Sequence, residues 1–228
     1  MRNTVSKEEV STFKEVYCNE NKVILEILKE FQEYLVEPIL DVGAGNGDIC
    51  FYTCPDKEVF MIDTNHYENE LNSEKHKRSV IDFFAFVPEK QIKTVFISHT
   101  LQFIDDDVNK LNAKISQLNP ENIILIINEN DGFMGKILDW IAANNIKANP
   151  ETTVPNFPEN YILKDIGKFK AELVCDNFCT LAQQISYLML FDFTEDIKNK
   201  LVNFLKNELG RIPAFPINQA IYIYSNKL

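Results

Sequence analysis

The sequence lacks a long apolar run. No stretch approaches the ~20 consecutive apolar residues that a membrane-spanning helix requires. The opening segment, Met1–Val10, is polar and acidic, so it does not have the apolar core of a signal peptide. These two absences predict a cytoplasmic protein that has no membrane as a partner.

Positive charge is also scarce. The 228 residues include 23 Lys and Arg against 34 Asp and Glu, which gives a net charge of −11. The basic cluster Lys75–Arg78 is short and follows an acidic stretch. Proteins that bind nucleic acid need basic surface to displace counterions from phosphates. The composition therefore disfavours RNA and DNA, favours a small neutral or cationic substrate, and leaves the oligomeric state open.

Metal-ligand spacings are missing too. Five cysteines are an odd number, and the pairs Cys50/Cys54 and Cys175/Cys179 have C-x3-C spacing. Structural zinc sites usually use tighter C-x2-C knuckles, and no histidine follows either pair at ligand spacing. We therefore predict free thiols and no bound metal.

What the sequence does contain is an alternation of apolar segments with stretches of helical 3–4 spacing. This order predicts an α/β protein with a parallel sheet that is covered on both faces. The length and the 45% hydrophobic content fit one domain. We divide it into an N-terminal helical cap (1–37), a ligand-binding core (38–148) and a substrate-side part (149–228), in which the proline-rich loop Asn149–Asn160 is predicted to be a lid. The predicted strands are 39–42, 59–63, 79–84, 94–98, 123–127, 171–175 and 217–225.

The most informative segment is Ile39–Gly47. A short apolar strand containing Asp41 is followed by glycines at positions 43, 45 and 47. Glycine adopts positive φ freely, which allows a sharp turn and a close approach of backbone to a ligand. The spacing is G-x-G-x-G, and Asp48 stands where the dinucleotide fingerprint G-x-G-x-x-G has its third glycine. A coincidental strand-turn is the alternative interpretation.

This segment resembles motif I of the class I S-adenosylmethionine (SAM) methyltransferases. The resemblance implies an α/β, three-layer Rossmann-like sandwich with an N-terminal helical cap. Its seven-stranded sheet is expected to be mostly parallel, with an antiparallel last strand. The implied cofactor is SAM, with S-adenosylhomocysteine as product. Ligands of such sheets bind beyond the carboxyl ends of the strands, so the residues that follow each strand are the candidates.

The resemblance assigns the glycine turn to the methionine part of SAM. The backbone of Gly43, Ala44, Gly45 and Asn46 is expected to approach that part of the cofactor. Asp41 is expected to face its ammonium group, directly or through water. The alternative role of Asp41 is to cap the turn.

The adenosine part is assigned to residues after the next two strands. Asp63 lies 20 residues after Gly43, and its carboxylate can accept hydrogen bonds from both ribose hydroxyls. Thr64 is expected to pack on the adenine. The resemblance places Asp82 at the adenine amine and the backbone of Phe83 at the ring. The alternatives are a solvated cap for Asp63 and a core position for Phe83.

The fourth strand runs into a short polar stretch that resembles the post-strand motif of the family. Ser98 is a predicted cofactor contact, and His99 is predicted to be catalytic as a general base, or only to touch the substrate. Asn128, after the fifth strand, is predicted at the substrate rim, with helix capping by its neighbours as the alternative. A faint similarity to the histamine N-methyltransferase type matches His99 and Asn218 to positions that touch the amine substrate there. The remaining histidines, His66 and His76, are predicted on the surface.

Together these features predict a methyltransferase that moves a methyl group from SAM to an amine or hydroxyl of a small molecule by in-line displacement. Two alternatives stay open. One is a methyltransferase of protein or RNA, and the other is a non-catalytic module of the same fold that acts through a partner.

Overall fold

A computed structural model describes residues 19–67, 71, 73–104, 108–149 and 154–227. The strands are β1 (Ile39–Val42), β2 (Val59–Asp63), β3 (His76–Val80), β4 (Thr94–Ser98), β5 (Asn122–Asn128), β6 (Tyr161–Val174) and β7 (Ala214–Asn226). The α-helices are α1 (Glu20–Ile27), α2 (Asp48–Thr53), α3 (Val108–Leu118), α4 (Gly132–Ala143), α5 (Phe178–Leu188) and α6 (Glu195–Leu209). Two 3-10 helices cover Leu28–Tyr34 and Leu101–Phe103.

The strands form one seven-stranded sheet in the order β3-β2-β1-β4-β5-β7-β6. The pairs β3–β2, β2–β1, β1–β4 and β4–β5 are parallel, and the last strands are antiparallel. Every residue of β1 and of β5 is buried, because a central strand of a parallel sheet is covered on both faces. The predicted α/β architecture is confirmed.

The N-terminal helical prediction, residues 8–36, is described only from residue 19 onward. There the chain forms α1 and then tightens into the 3-10 helix Leu28–Tyr34. Leu28, Phe31 and Leu35 are buried at helical spacing. The apolar periodicity therefore marks the buried face correctly, although the hydrogen-bonding pattern changes along it.

The third strand was predicted at 79–84, and this prediction is wrong. β3 begins at His76, which pairs in register with Val59. The side chain of His76 is 2% exposed, and its ring nitrogens bond the Ser73 hydroxyl at 2.8 Å and the Cys54 carbonyl at 3.1 Å. The surface position predicted for His76 is therefore wrong as well, because these bonds satisfy a buried imidazole.

The sixth strand is longer than its prediction, 171–175. β6 runs from Tyr161 to Val174 at the sheet edge, and most of its side chains are exposed or half-buried. An edge strand packs less of its surface, so its sequence does not show the continuous apolar run of a central strand. In the predicted lid, residues 150–153 lie outside the described residues, while Val154 and Phe157 pack against the core of β1, β4 and β5.

The chain divides into two compact units, each with its own hydrophobic core. The described residues of unit 1 lie within Met1–Val23, Asn128–Thr152 and Phe169–Gln219, and its core is built from α4, α5, α6 and the adjoining strand segments. The residues of unit 2 lie within Ile24–Ile127, Thr153–Lys168 and Ala220–Leu228, and its core surrounds β1, β2, β4 and β5.

Within the described part of the chain, no helix is both long and apolar enough to cross a membrane. The same residues contain no group of three or more His, Cys, Asp or Glu side chains that could hold a metal ion.

Candidate active site

The glycine turn follows β1 in unit 2. Gly43, Gly45 and Gly47 have φ angles of +69°, +60° and +89°, the region that glycine enters without strain. The N–H groups of Gly43 and Ala44 both donate to the carbonyl of Ile62, at 2.8 and 3.0 Å. These bonds fix the start of the turn against the end of β2.

At two of the three glycines the space that a side chain would fill is taken by the protein itself. A Cβ built on Gly43 would lie 2.3 Å from the Thr100 methyl and 2.4 Å from its hydroxyl. A Cβ built on Gly47 would lie 2.7 Å from the Met61 sulfur. A side chain at Gly43 would therefore clash with Thr100, and a side chain at Gly47 would have to displace the flexible Met61 side chain.

Asp63 joins the end of β2 to the middle of the turn. Its Oδ2 accepts a hydrogen bond from the Gly45 N–H at 3.0 Å, and its Oδ1 accepts one from the Asn65 N–H at 2.8 Å. Each carboxylate oxygen offers about two acceptor sites. The carboxylate therefore shapes the turn and has acceptor capacity for further donors.

Arg78, the last residue of the basic cluster Lys75–Arg78, contacts the same glycine from β3. Its guanidinium donates to the carbonyl of Gly45 and lies with its carbon 5.6 Å from the centre of the Tyr67 ring. Burial and the charge of Asp63 raise the pKa of Tyr67 to about 12, against the opposing effect of Arg78. Gly45 is thus hydrogen-bonded at its N–H to an anionic side chain and at its C=O to a cationic one.

Asp41 is 3% exposed and lies against the thiol of Cys50, to which it is hydrogen-bonded. Burial first, and then the charge of Asp41, raise the pKa of Cys50 well above its ordinary value. Further along the turn, the carbonyl of Ala44 accepts from Gly47 at 2.9 Å, and the carbonyl of Asn46 accepts from Leu71 at 3.0 Å. These contacts stabilise the turn, while the predicted cofactor contacts of Asp41, Ala44 and Asn46 stay predictions.

Thr64 and Asp82 are both exposed, whereas Phe83 is 5% exposed and packs in the core of unit 2. The Oδ1 of Asp82 accepts from the Phe84 N–H at 2.8 Å and so closes a turn. Lys114 of α3 braces this turn, because its ammonium donates to the carbonyls of Phe84 and Phe86 at 3.2 and 2.5 Å. Burial lowers the pKa of Lys114, and the charge of Asp82 acts in the opposite direction.

Ser98 is the last residue of β4, and the chain turns sharply directly after it. His99 has a φ of +50°, an uncommon conformation for a residue with a side chain, and its N–H donates to the Ile126 carbonyl at 3.0 Å. The Thr100 hydroxyl donates to the Ser98 carbonyl at 2.8 Å, which directs the Thr100 side chain against Gly43. The role of His99 as a general base or substrate contact stays a prediction.

The predicted substrate residues Asn128 and Asn218 lie in unit 1, and His99 lies in unit 2. Asn128, the last residue of β5, is 5% exposed and accepts from the amide of Gln219 at 3.1 Å. Asn218 instead donates to Asp131 at 2.6 Å. Successive residues of a strand point to opposite faces, so Gln219 lies with Asn128 and Asn218 does not.

The architecture is that of the SAM-dependent methyltransferases, as the resemblance implied. Three solved structures, all of low identity, cover nearly the whole chain. A cyclopropane-fatty-acyl-phospholipid synthase-like protein from Lactobacillus casei ATCC 334 matches with a TM-score of 0.52 and 12% identity over 90% of each chain. The 1,6-didemethyltoxoflavin-N1-methyltransferase of Burkholderia thailandensis, solved with 1,6-didemethyltoxoflavin and S-adenosylhomocysteine, matches with a TM-score of 0.52 and 11% identity over 97% of this chain and 86% of that one.

A functionally unknown protein from Deinococcus radiodurans R1 matches with a TM-score of 0.55 and 6% identity over 96% of each chain. No family model matches the sequence, and no curated protein matches it. At these identities the likeness shows the fold.

Proposed function

We propose that this chain is a SAM-dependent methyltransferase whose methyl acceptor is an amine or hydroxyl of a small molecule. The observation that carries the proposal is the turn of three positive-φ glycines that follows β1, in which Asp63 and Arg78 hydrogen-bond the N–H and the C=O of Gly45. In a sheet of this type, that turn stands where the ligand binds, beyond the carboxyl end of the strand.

The residues of unit 2 fit SAM by the chemistry of their donors and acceptors. Asp63 offers acceptor oxygens to a ribose diol, and the glycine turn offers backbone with few side chains to an extended ligand. The buried carboxylate of Asp41 suits the ammonium group at the other end of the cofactor. When bound, SAM supplies a methyl group that its sulfonium makes electrophilic.

Methyl transfer by in-line displacement depends chiefly on the position of the acceptor. We assign to His99 the role of a general base that takes the proton of a hydroxyl or ammonium acceptor, because imidazole is the side chain most often used for this step. The backbone of His99 has a positive φ and its N–H is hydrogen-bonded to the Ile126 carbonyl, which keeps this residue at the end of β4. A neutral amine acceptor needs no such base.

The charge of the chain supports a small molecule over RNA. With a net charge of −11, the chain repels a polyanion. The N1-methyltransferase from Burkholderia thailandensis, which was solved with a small-molecule ligand and S-adenosylhomocysteine, gives one example of this use of the fold.

The proposal is tested by isothermal titration of S-adenosylhomocysteine into wild-type protein and two variants. Asp63→Ala removes the acceptor and releases Gly45, so we expect affinity to fall about tenfold or more, the effect of losing a charged hydrogen bond. Asp165→Ala is the matched control, because Asp165 is exposed and its carboxylate also accepts from a backbone N–H, that of Ile166 at 2.8 Å. Wild-type protein that does not bind S-adenosylhomocysteine, or equal affinities of all three proteins, would refute the proposal.

A further inference from the structure

Lys114 of α3 is a buried lysine of unit 2, only 5% exposed. Lysine is almost never buried to this extent unless its ammonium group has partners. Here the ammonium donates to the carbonyls of Phe84 and Phe86, at 3.2 and 2.5 Å, and lies 6.0 Å from the centre of the Phe83 ring. These partners all belong to one short loop, Asp82–Phe86, which follows β3.

The N–H groups of the same loop are bound by Asp82. Its carbonyl accepts hydrogen bonds from the N–H groups of Ala85 and Phe86, at 3.1 and 3.0 Å. Its Oδ1 accepts a third, from the Phe84 N–H at 2.8 Å. The shape of the loop therefore depends on two residues, because Asp82 binds its N–H groups and Lys114 binds its carbonyls.

Two polar groups of the loop remain for a ligand. Among the residues that the structure describes, none donates to the Oδ2 of Asp82 and none accepts from the N–H of Phe83. Asp82 is exposed, and the N–H of Ile81 before it donates to the carbonyl of Asp63 at 2.8 Å, so the loop starts beside the proposed ribose acceptor. An acceptor oxygen next to a donor N–H complements adenine, whose amine donor lies beside a ring-nitrogen acceptor.

We propose that Lys114 is a positioning residue that keeps the acceptor of Asp82 and the donor of Phe83 in place and so sets the preference of the site for adenine. Without the ammonium group, the two carbonyls that it binds each lose a charge-assisted hydrogen bond, and the loop is free to change its shape. The inference rests on the proposed function, since it requires a cofactor that contains adenine. Lys114 acts through the loop and is assigned no contact with the ligand.

The test compares S-adenosylhomocysteine with S-inosylhomocysteine, in which a carbonyl oxygen replaces the adenine amine and the neighbouring ring nitrogen carries a proton. Donor and acceptor are thus exchanged at one edge of the base. Dissociation constants are measured by isothermal titration at pH 7.5. We expect wild-type protein to prefer S-adenosylhomocysteine by about tenfold or more, the effect of a hydrogen bond to a charged group. Lys114→Met, which has a side chain of similar length without the ammonium, should reduce this preference below about threefold.

Lys57→Met is the matched control. Lys57 also belongs to unit 2, and its ammonium also donates to two backbone carbonyls, those of Gln32 and Leu35 at 3.3 and 2.7 Å. Both variants should lose stability in urea, but Lys57→Met should keep the wild-type preference for adenine. A Lys114→Met variant that keeps this preference, or a Lys57→Met variant that loses it equally, contradicts the inference.

A further ligand separates an effect on the loop from a general loosening of the site. Methylthioadenosine keeps the adenine and lacks the amino-acid part of S-adenosylhomocysteine. The ratio of the affinities for these two ligands should therefore be the same in wild-type protein and in Lys114→Met, and a changed ratio contradicts the inference. If Lys114→Met does not fold by circular dichroism, Lys114→Gln, which is uncharged and one bond shorter, should lower the preference for adenine by about threefold or more, and an unchanged preference overturns the inference.

The two proposals fail in different ways. Wild-type protein that binds S-adenosylhomocysteine and S-inosylhomocysteine equally, or whose preference survives Lys114→Met, refutes the positioning role and leaves the proposed function intact. Wild-type protein that does not bind S-adenosylhomocysteine refutes the proposed function and the positioning role with it.

Discussion

Replacing Gly43 with alanine places a methyl group where the side chain of Thr100 already lies. Three Thr100 atoms would be 2.3, 2.4 and 2.9 Å from the new Cβ, which is closer than real Cβ contacts come. Two penalties add. A side chain at a φ of +69° costs about 1–2 kcal/mol, and overpacking a tight site costs about 1–3 kcal/mol. We therefore expect Gly43→Ala to lower the free energy of unfolding by about 2–5 kcal/mol.

Removing the Thr100 side chain separates the two penalties. The three atoms nearest to the Cβ built on Gly43 all belong to that side chain, and a Thr100→Gly variant lacks them. In this background Gly43→Ala should show the backbone penalty alone, about 1–2 kcal/mol. Urea unfolding followed by far-UV circular dichroism measures Gly43→Ala against its glycine parent in each background.

The difference between the two backgrounds measures the clash with Thr100. The reasoning is wrong if Gly43→Ala costs no more than about 1 kcal/mol in the wild-type background, or if its cost is the same with and without the Thr100 side chain.

Two further predictions concern residues of unit 2. Gly167→Ala should lower the free energy of unfolding by about 1–3 kcal/mol, because its Cβ would lie 2.6 Å from the Cγ2 of Ile221 and 2.9 Å from the Phe31 ring, and an Ile221→Ala background, which removes the nearer atom, should reduce the loss measured in urea. Burial raises the pKa of Cys54 from 9.0 to about 12, so the folded state favours the protonated thiol, and its contribution to stability, complete below pH 9, is lost as pH rises toward 12. Between pH 8 and pH 10 the free energy of unfolding should therefore fall by about 1.4 kcal/mol from this thiol. Urea unfolding should show a smaller fall in Cys54→Ala and an unchanged fall in Cys179→Ala, which alters an exposed thiol. Equal pH dependence in wild-type protein and both variants contradicts the assignment.

The central strands could be predicted from the sequence because burial on both faces leaves a continuous apolar run. β1, β2 and β4 have the predicted bounds, and β5 is one residue longer at each end. The strand β3 could not be found in this way, since it lies at the sheet edge and reads His-Lys-Arg-Ser-Val. Its basic residues are ordinary for an edge strand, where solvent hydrates one side.

The same limit applies to the site. The three glycines and Asp63 are visible as a spacing along the chain, and the structure brings Gly45 and Asp63 into contact. The role of Arg78 depends on the register of β3, which no local pattern shows. Which residue of β7 bonds Asn128, here Gln219 and not Asn218, depends on which face of β7 is buried, and a shift of one residue reverses the two positions.

The two hydrogen bonds of Gly45 have a consequence for how the turn discriminates between ligands. Its N–H, the only donor of this residue, is bonded to Asp63, and Arg78 takes one of the two acceptor positions of its C=O. A ligand that passes Gly45 therefore finds no free backbone donor and no side chain there, so its fit depends on its shape. If the proposed function holds, cofactor analogues that add a methyl group at this contact should be rejected. An inhibitor series that reaches this turn gains by becoming thinner rather than by acquiring another hydrogen-bond acceptor.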